Sequence, residues 1–145
     1  MILKVVIYPD EFLKKKSLPV KKIGPVEKKL FSDMLYTMKA NKGVGLAAVQ
    51  VGVLKQLVMV DVGKGNLIKL ANPKIIGHKG LVDCDEGCLS VPGETITVER
   101  FNEIVVKGLN EQNKEMTLLL HGMEAIAMQH EIDHLEGKTI MDYKK

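Results

Sequence analysis

The segment between Gly122 and Gly137 constrains the fold more than any other part of the chain. At helical spacing, one of its faces consists of Met123, Ile126, Ala127, His130 and His134. Its other sides are also apolar, with Ala125, Met128, Ile132 and Leu135. The pattern predicts a helix that is buried on nearly all sides and that ends at Gly137 in a left-handed conformation.

Ionisable side chains within this apolar helix are the next unusual feature. Unpaired buried charges are costly, so they require a metal ion or hydrogen-bonding partners. His130 and His134 are one helical turn apart and Glu131 follows His130, in the pattern His-Glu-x-x-His. This spacing predicts two metal ligands and a general base. The alternative is a pair of surface or hydrogen-bonded histidines beside ordinary helix-forming acids, which the predicted burial disfavours.

A catalytic Zn²⁺ or Fe²⁺ site needs a third protein ligand and one open position for water. Downstream of the helix the available donors are Glu136 and Asp142, and neither fits the usual metallopeptidase spacing. Upstream, the segment Glu86-Gly87-Cys88-Leu89-Ser90 offers a thiolate. We predict that Cys88 is the third ligand. The alternative is that Cys88 is a small buried apolar side chain, which is common for free cysteines.

Composition limits the classes of function. A chain of 145 residues with 46% hydrophobic residues predicts one domain, residues 1–145. The net charge of +3 arises from dispersed lysines without interleaved aromatic residues, which does not favour direct nucleic-acid recognition. The apolar start of the chain is too short for a signal peptide, and no apolar stretch approaches membrane-spanning length. We therefore expect a cytoplasmic protein without a membrane partner and without a disulfide framework.

The rest of the chain predicts a helix followed by antiparallel strands. From Pro25 to about Lys39, apolar residues recur at helical spacing, namely Val26, Leu30, Met34, Leu35 and Met38. Pro25 suits the first helical position. Short apolar or alternating runs then predict strands over residues 56–61, 67–71, 95–99, 104–109 and 115–119. We expect interruptions at Asn72-Pro73, Pro92-Gly93, Gly108 and Asn110.

Residues Gly43 to Ala48 match the dinucleotide-binding pattern G-x-G-x-x-A. That pattern should follow a strand and open a helix, whereas a helical pattern precedes it here. Closely spaced glycines also allow a backbone to run beside an extended ligand, which we consider the better interpretation. The Gln50 amide could then donate a hydrogen bond to an oxyanion, although an isolated glutamine is usually a surface residue.

Three segments together resemble the peptide deformylase family: Gly43 to Gln50, Glu86 to Ser90, and His130 to His134. The resemblance implies an α+β fold with small antiparallel β-sheets packed around a central buried helix that carries the His-Glu-x-x-His motif. It implies a metal-dependent hydrolase that removes the N-formyl group from the N-terminal formylmethionine of nascent polypeptides and releases formate. The expected substrates are N-formylmethionyl peptides and nascent chains.

The resemblance also assigns roles to individual residues. It makes Cys88, His130 and His134 the metal ligands and Glu131 the proton shuttle, while the Leu89 N–H and the Gln50 side chain stabilise the oxyanion. It places Val44, Gly45, Glu86 and Gly87 beside the peptide backbone and Arg100 near the substrate. Arg100 could equally be a solvated strand residue. Met123, Ile126 and Ala127 share the helix face of His130, where they form either a pocket for the methionine side chain or plain core packing.

The metal is less constrained than its ligands. A thiolate suits both Zn²⁺ and Fe²⁺, and raw affinity favours zinc. The resemblance favours Fe²⁺ in the cell, with Zn²⁺, Ni²⁺ or Co²⁺ as substitutes. Many bacterial members of the family continue into a C-terminal helix associated with ribosome docking, but only eight residues follow Gly137 here. The sequence therefore offers little support for ribosome contact by that route.

Two other functions compete with deformylation. A zinc metallopeptidase would use the same His-Glu-x-x-His helix but would not need Cys88 or Gln50. A non-catalytic module would close a structural metal site with four protein ligands, for which Cys84 is an additional candidate.

Overall fold

A five-stranded antiparallel sheet and two α-helices form the framework of the protein in a computed structural model that describes residues 1–145. The helices are α1 (Pro25–Ala40) and α2 (Met123–Leu135). The strands are β1 (Gly45–Ala47), β2 (Leu57–Val60), β3 (Ile68–Cys88), β4 (Val91–Leu109) and β5 (Glu115–His121), and they lie side by side in chain order. Short 3-10 helices span Glu11–Lys14, Ala48–Val51 and Ile140–Tyr143. This arrangement confirms the predicted α+β class.

The prediction of several small sheets was wrong, because the long strands β3 and β4 are part of one sheet that contains all five strands. Residues 67–71 largely fall at the start of β3, and residues 95–99 and 104–109 are both parts of β4. Asn72 does not end β3, since it adopts a φ of 52° within a register shift between Ala71 and Lys74. Such bulges bend a strand without ending it.

Close strand packing explains one glycine in β4. A Cβ atom on Gly108 would lie 2.9 Å from the carbonyl oxygen of Ala71 on β3. Glycine therefore permits the approach of the two strands at this point instead of breaking the strand.

Helix α1 packs one apolar stripe onto the sheet. Phe31, Met34 and Met38 are fully buried in a cluster with residues of β1 and β2. The helix begins at Pro25 and ends one residue beyond the predicted boundary. Val26, which the periodicity also placed on the stripe, is 67% exposed because it lies in the first turn.

Helix α2 packs against the sheet through residues that include Ala125, Met128 and Leu135. Met123, in its first turn, is its only exposed residue. Gly137 has a φ of 82° and its Cα lies against the Lys14 backbone, so a side chain would not fit there. Neither helix has the length and apolar character needed to cross a lipid bilayer.

Candidate metal centre

Three donor atoms from two elements converge at the end of β3. The Cys88 Sγ lies 3.3 Å from the His134 Nε2, which lies 3.2 Å from the His130 Nε2. All three side chains can offer donor atoms within 4.8 Å of one another. Helical spacing brings the two histidines together, and Cys88 enters from the last residue of β3, next to a register shift that begins at Glu86. The structure thus brings together the three residues that the sequence predicted as ligands.

The chemistry of this cluster fits a divalent metal ion of intermediate softness. One sulfur and two imidazole nitrogens are the donor types that bind Zn²⁺ or Fe²⁺. Burial, together with the charge of His130, holds the pKa of His134 well below its ordinary value, so its ring is neutral and able to ligate. Burial opposes protonation of His130, but Glu131 and Cys88 outweigh it and raise the His130 pKa. The cluster therefore attracts positive charge, which a cation can supply.

Glu86 orients one of the histidines. Its Oε1 lies 2.9 Å from the His130 Nδ1, so an Nδ1–H donated to the carboxylate leaves the Nε2 lone pair directed at the donor cluster. Burial raises the pKa of Glu86, but hydrogen bonds from Arg100 and His130 outweigh it and lower the pKa below its ordinary value. Glu86 is therefore a carboxylate that supports the ring of His130 from behind.

Arg100 lies behind Glu86, on the side away from the cavity. It is 5% exposed and does not line the cavity described below. Its Nε and Nη2 donate to the two carboxylate oxygens of Glu86 at 2.7 and 2.8 Å, and its Nη1 donates to Asp133 at 2.6 Å. A buried guanidinium needs such partners, so Arg100 is held behind Glu86 and is not a solvated strand residue.

Glu131 is a buried carboxyl group with spare hydrogen-bonding capacity. It is 4% exposed, and its Oε1 has no hydrogen-bond partner in the protein. Burial is the main cause that raises its pKa to about 7. A Cβ atom on Gly45 would lie 2.5 Å from the Glu131 Oε2, so only glycine allows β1 to pass this close. A carboxyl group with a pKa near neutrality can both accept and donate a proton.

Gln50 is fixed beside the thiol of Cys88. It is 1% exposed, and its Oε1 accepts a hydrogen bond of 2.9 Å from the Ala47 N–H. This contact directs the Nε2 toward the Ser90 Oγ at 3.1 Å and the Cys88 Sγ at 3.6 Å. Gln50 is therefore a buried donor at the cluster and not the surface residue that an isolated glutamine usually is.

One cavity of about 320 Å³ adjoins the donor cluster. The predicted site residues that line it are Val44, Gly45, Gln50, Glu86, Gly87, Cys88, Leu89, Met123, Ile126, Ala127, His130 and Glu131. Ile126 and Ala127 are 8% and 6% exposed, whereas Met123 is 51% exposed. The helix face thus contributes both a buried apolar wall and an exposed apolar side chain.

Two further lining residues, Lys42 and Asp85, were missed by sequence reasoning. Each is adjacent to a motif segment, and that adjacency was the signal available for finding them. Gly43 and Cys84, which the sequence analysis considered in other roles, also line the cavity. The dinucleotide interpretation finds no support, because β1 is followed by the short 3-10 helix Ala48–Val51 and not by the start of an α-helix.

Comparison with known proteins identifies the family to which this chain is similar. The sequence model of the family described as polypeptide deformylase matches residues 2–145. A peptide deformylase of Thermodesulfovibrio yellowstonii is 44% identical over 145 residues, which cover 97% of this chain and 88% of the relative. A peptide deformylase of Halothermothrix orenii is 47% identical over 134 residues, which cover 92% of this chain and 87% of the relative.

A solved structure is similar over nearly the same extent. It is the peptide deformylase from Ehrlichia chaffeensis in complex with actinonin, with a TM-score of 0.97 and 38% identity. The match covers 99% of this chain and 89% of that one, so it includes both helices and the strands that line the cavity. The chain belongs to the polypeptide deformylase family.

Proposed function

We propose that residues 1–145 form one catalytic unit that removes the N-formyl group from the formylmethionine of nascent polypeptides and releases formate. Membership of the family supports the reaction. The observation that carries the assignment to this site is the convergence of Cys88, His130 and His134 beside the buried Glu131. A structural metal site is disfavoured because Cys84, the candidate fourth ligand, is not in the donor cluster.

The metal ligands in this proposal are Cys88, His130 and His134. When bound, a divalent ion polarises the formyl carbonyl and promotes ionisation of the attacking water. We propose Fe²⁺ as the metal in the cell, with Zn²⁺, Ni²⁺ and Co²⁺ able to replace it. This choice predicts activity that decays in air as iron or Cys88 is oxidised, and that becomes stable after substitution with Ni²⁺ or Co²⁺. Full activity of the iron form after prolonged exposure to air would contradict it.

Glu131 moves the proton during hydrolysis. Its carboxylate takes a proton from water as the oxygen adds to the formyl carbon. The same carboxyl group then donates a proton to the amine nitrogen as the carbon–nitrogen bond breaks. The unpartnered Oε1 and the pKa of about 7 support both roles, because the group is ready to bind a proton and to release it. The products are formate and a free amino terminus.

Gln50 and Leu89 stabilise the negative charge that develops on the formyl oxygen. The Nε2 of Gln50 is held at the cluster by the hydrogen bond between its Oε1 and Ala47. The N–H of Leu89 belongs to the residue that follows Cys88, and Leu89 lines the cavity. Donors fixed in advance cost no reorganisation when the charge forms, which makes them effective in catalysis.

The peptide backbone runs along the edge strand β1. Val44 accepts a hydrogen bond from the Asp61 N–H, and Gly45 is opposite Val60 in the antiparallel register. The hydrogen bond between Asp61 and Val44 makes Gly45 and Val60 a non-hydrogen-bonded pair. The N–H and C=O groups of Gly45 therefore point away from β2 toward the open edge of the sheet. An extended peptide can pair there, and Gly87 also lines the cavity.

The methionine side chain enters the apolar part of the cavity. Ile126 and Ala127 form its buried wall, and Met123 lies at its exposed end. A flexible Met123 side chain can pack against the unbranched chain of the substrate.

The substrates are formylated nascent chains, so we propose that the protein acts in the cytoplasm. Direct recognition of nucleic acid is not part of the proposal. Contact with the ribosome is not required for turnover of a free formylmethionyl peptide. We further propose that actinonin, which is bound to the Ehrlichia chaffeensis relative, inhibits this protein.

The proposal is tested by formate release from formyl-Met-Ala-Ser. The metal-loaded protein should release formate and leave the internal peptide bonds intact, and actinonin should inhibit the reaction. Cleavage of internal bonds without formate release would instead indicate a metallopeptidase. Glu131→Ala should retain metal and lose nearly all turnover. Glu124→Ala is the matched control on α2, because the Glu124 side chain accepts a hydrogen bond from Asn66 at the surface and lies outside the cavity.

A further inference from the structure

Tyr143, in the last 3-10 helix, is hydrogen-bonded to the polar network behind the donor cluster. Its hydroxyl donates to the Asp133 Oδ2 at 2.7 Å, and its ring lies 5.1 Å from the Arg100 guanidinium carbon. Burial and the hydrogen bond with Asp133 raise the pKa of Tyr143 to about 12. The hydroxyl therefore remains a donor at neutral pH.

From Asp133 the contacts continue to a proposed metal ligand. The same Oδ2 accepts from the Arg100 Nη1 at 2.6 Å. Arg100 in turn donates to both oxygens of Glu86, and the Glu86 Oε1 lies 2.9 Å from the His130 Nδ1. Every link between Tyr143 and His130 is thus a short polar contact, and Asp133 and His130 are both on α2.

The Tyr143 backbone is anchored independently of this network. Thr139 accepts a hydrogen bond from the Met141 N–H and donates its own N–H to Asp142, which fixes the 3-10 helix Ile140–Tyr143. Ile140 is 1% exposed in an apolar cluster with Val91, Ile96 and Val98 of β4. Removing the Tyr143 hydroxyl should therefore leave the segment folded.

Without the Tyr143 hydroxyl, the Arg100 Nη1 would be the one remaining side-chain donor to Asp133. The Asp133 side chain is 20% exposed, compared with 4% for Arg100 and 6% for Glu86. The Tyr143 hydroxyl adds a second donor to the same oxygen, which restricts the side-chain rotation of Asp133. Restricting Asp133 also restricts the guanidinium of Arg100, whose other donors hold Glu86.

We propose that Tyr143 is a positioning residue whose hydroxyl, acting through Asp133, Arg100 and Glu86, holds the His130 ring in the orientation that binds the metal. The inference rests on the proposed metal site. Direct outer partners of metal ligands typically change affinity by about 10- to 100-fold, and Tyr143 is more distant, so we expect about a 3- to 10-fold effect.

The test compares the full chain with its Tyr143→Phe variant, using Co²⁺ as the probe. Phenylalanine keeps the ring beside Arg100 and removes only the hydroxyl. Tyr36→Phe is the matched control, because Tyr36 is 61% exposed on α1. Tyr143→Phe should weaken Co²⁺ affinity in competition with a chelator and shift the Co²⁺ absorption bands. Tyr36→Phe should change neither quantity, and all metal-free forms should unfold at similar temperatures.

An Asp133→Asn background tests whether the effect passes through Asp133. Adding Tyr143→Phe to Asp133→Asn should cause little further loss of affinity, because coupled residues are not additive. Unchanged affinity and absorption in Tyr143→Phe would overturn the inference, as would a full additive loss in the double variant. A loss of metal-free stability without a change in affinity would also overturn it. If the wild-type protein binds no Co²⁺, the proposed metal site itself fails.

Discussion

Both helices of this protein pack against the sheet, but α2 is buried on more of its sides than α1. Helix α1 places Phe31, Met34 and Met38 on the sheet and leaves its opposite face exposed, including Lys29 and Tyr36. Helix α2 is covered on nearly all sides, yet it carries His130, Glu131 and His134. Helix α1 buries mainly apolar side chains, with Asp33 and Thr37 as exceptions, whereas α2 buries the ionisable groups of Glu131 and His134 among apolar residues.

The difference indicates where stability and function reside. Apolar side chains on α1 gain free energy from burial without needing specific partners. Polar side chains on α2 are costly to bury unless each finds a partner, and Glu131 and His134 still have buried atoms without one. Substitutions on α1 should therefore change stability, whereas substitutions around α2 should change metal binding and turnover.

The largest effect is expected from Cys88→Ala. This change removes one of three proposed ligands. Metal affinity and turnover should therefore fall by more than roughly 100-fold, which is the upper range for residues that only hydrogen-bond to a ligand. Metal content and formate release would measure it. Cys84→Ala is the matched control, because Cys84 lines the cavity but is outside the donor cluster. Equal losses in both variants would contradict the assignment of the thiolate.

A loss of stability is expected from Phe31→Ala on the opposite helix. Phe31 is fully buried, so the free energy of unfolding should decrease by about 3–5 kcal/mol. Urea unfolding measures this change, and the metal affinity of the folded variant should remain that of the wild type. Val26→Ala should alter stability by less than about 0.5 kcal/mol, because Val26 is exposed. Weakened metal binding in folded Phe31→Ala would break the distinction between the helices.

Glu86→Gln should have an intermediate effect on the metal site. The amide can still contact His130, but it loses the charge that pairs with Arg100 and supports the ring. We expect metal affinity to fall by about 10- to 100-fold, as is typical for partners of ligating histidines. Chelator competition measures the change. An unchanged affinity would show that the carboxylate does not support His130.

The smallest effect concerns Asp33 on α1. Two hydrogen bonds lower the pKa of Asp33 below its ordinary value of 3.8. The larger effect comes from Lys29 and the smaller from the terminal ammonium group. Because the folded-state pKa is depressed, the stabilisation is present above pH 3.8 and is lost as the pH falls through the folded-state pKa. Asp33→Asn should therefore lower the unfolding temperature slightly at pH 7, and less at pH values below 3.8.

Salt and a control variant sharpen the Asp33 measurement. The Lys29 side chain is 68% exposed, so added salt should weaken the effect. Glu136→Gln is the control, because Glu136 is exposed and forms no ion pair. A pH-independent difference between wild type and Asp33→Asn would contradict the electrostatic explanation.

Local periodicity was sufficient to predict much of this structure. The helical spacing of Met34 and Met38 is a property of consecutive turns, so it identified α1 and part of its buried stripe, whereas Phe31 was not among the predicted positions. The spacing of His130 and His134 likewise determines their relative position once the segment is helical. Cys88 was selected by its motif and by the lack of suitable donors downstream, and the structure brings its sulfur to the two histidines.

Long-range contacts were not predictable in the same way. No residue from Lys79 to Asp85, in the middle of β3, is buried, so its pairing with β4 left little trace in the sequence. The partners of Arg100 come from β3 and α2, and no local pattern identifies them. The contact of Tyr143 with Asp133 was missed for the same reason.

The central claim is that one sulfur and two imidazole nitrogens of this chain bind the catalytic ion. X-ray absorption at the metal edge of the Co²⁺-loaded protein tests it most directly, because the technique reports the ligand atoms themselves. We predict one sulfur ligand that is lost in Cys88→Ala and retained in Cys84→Ala. A spectrum with no sulfur ligand in the wild-type protein would contradict the account.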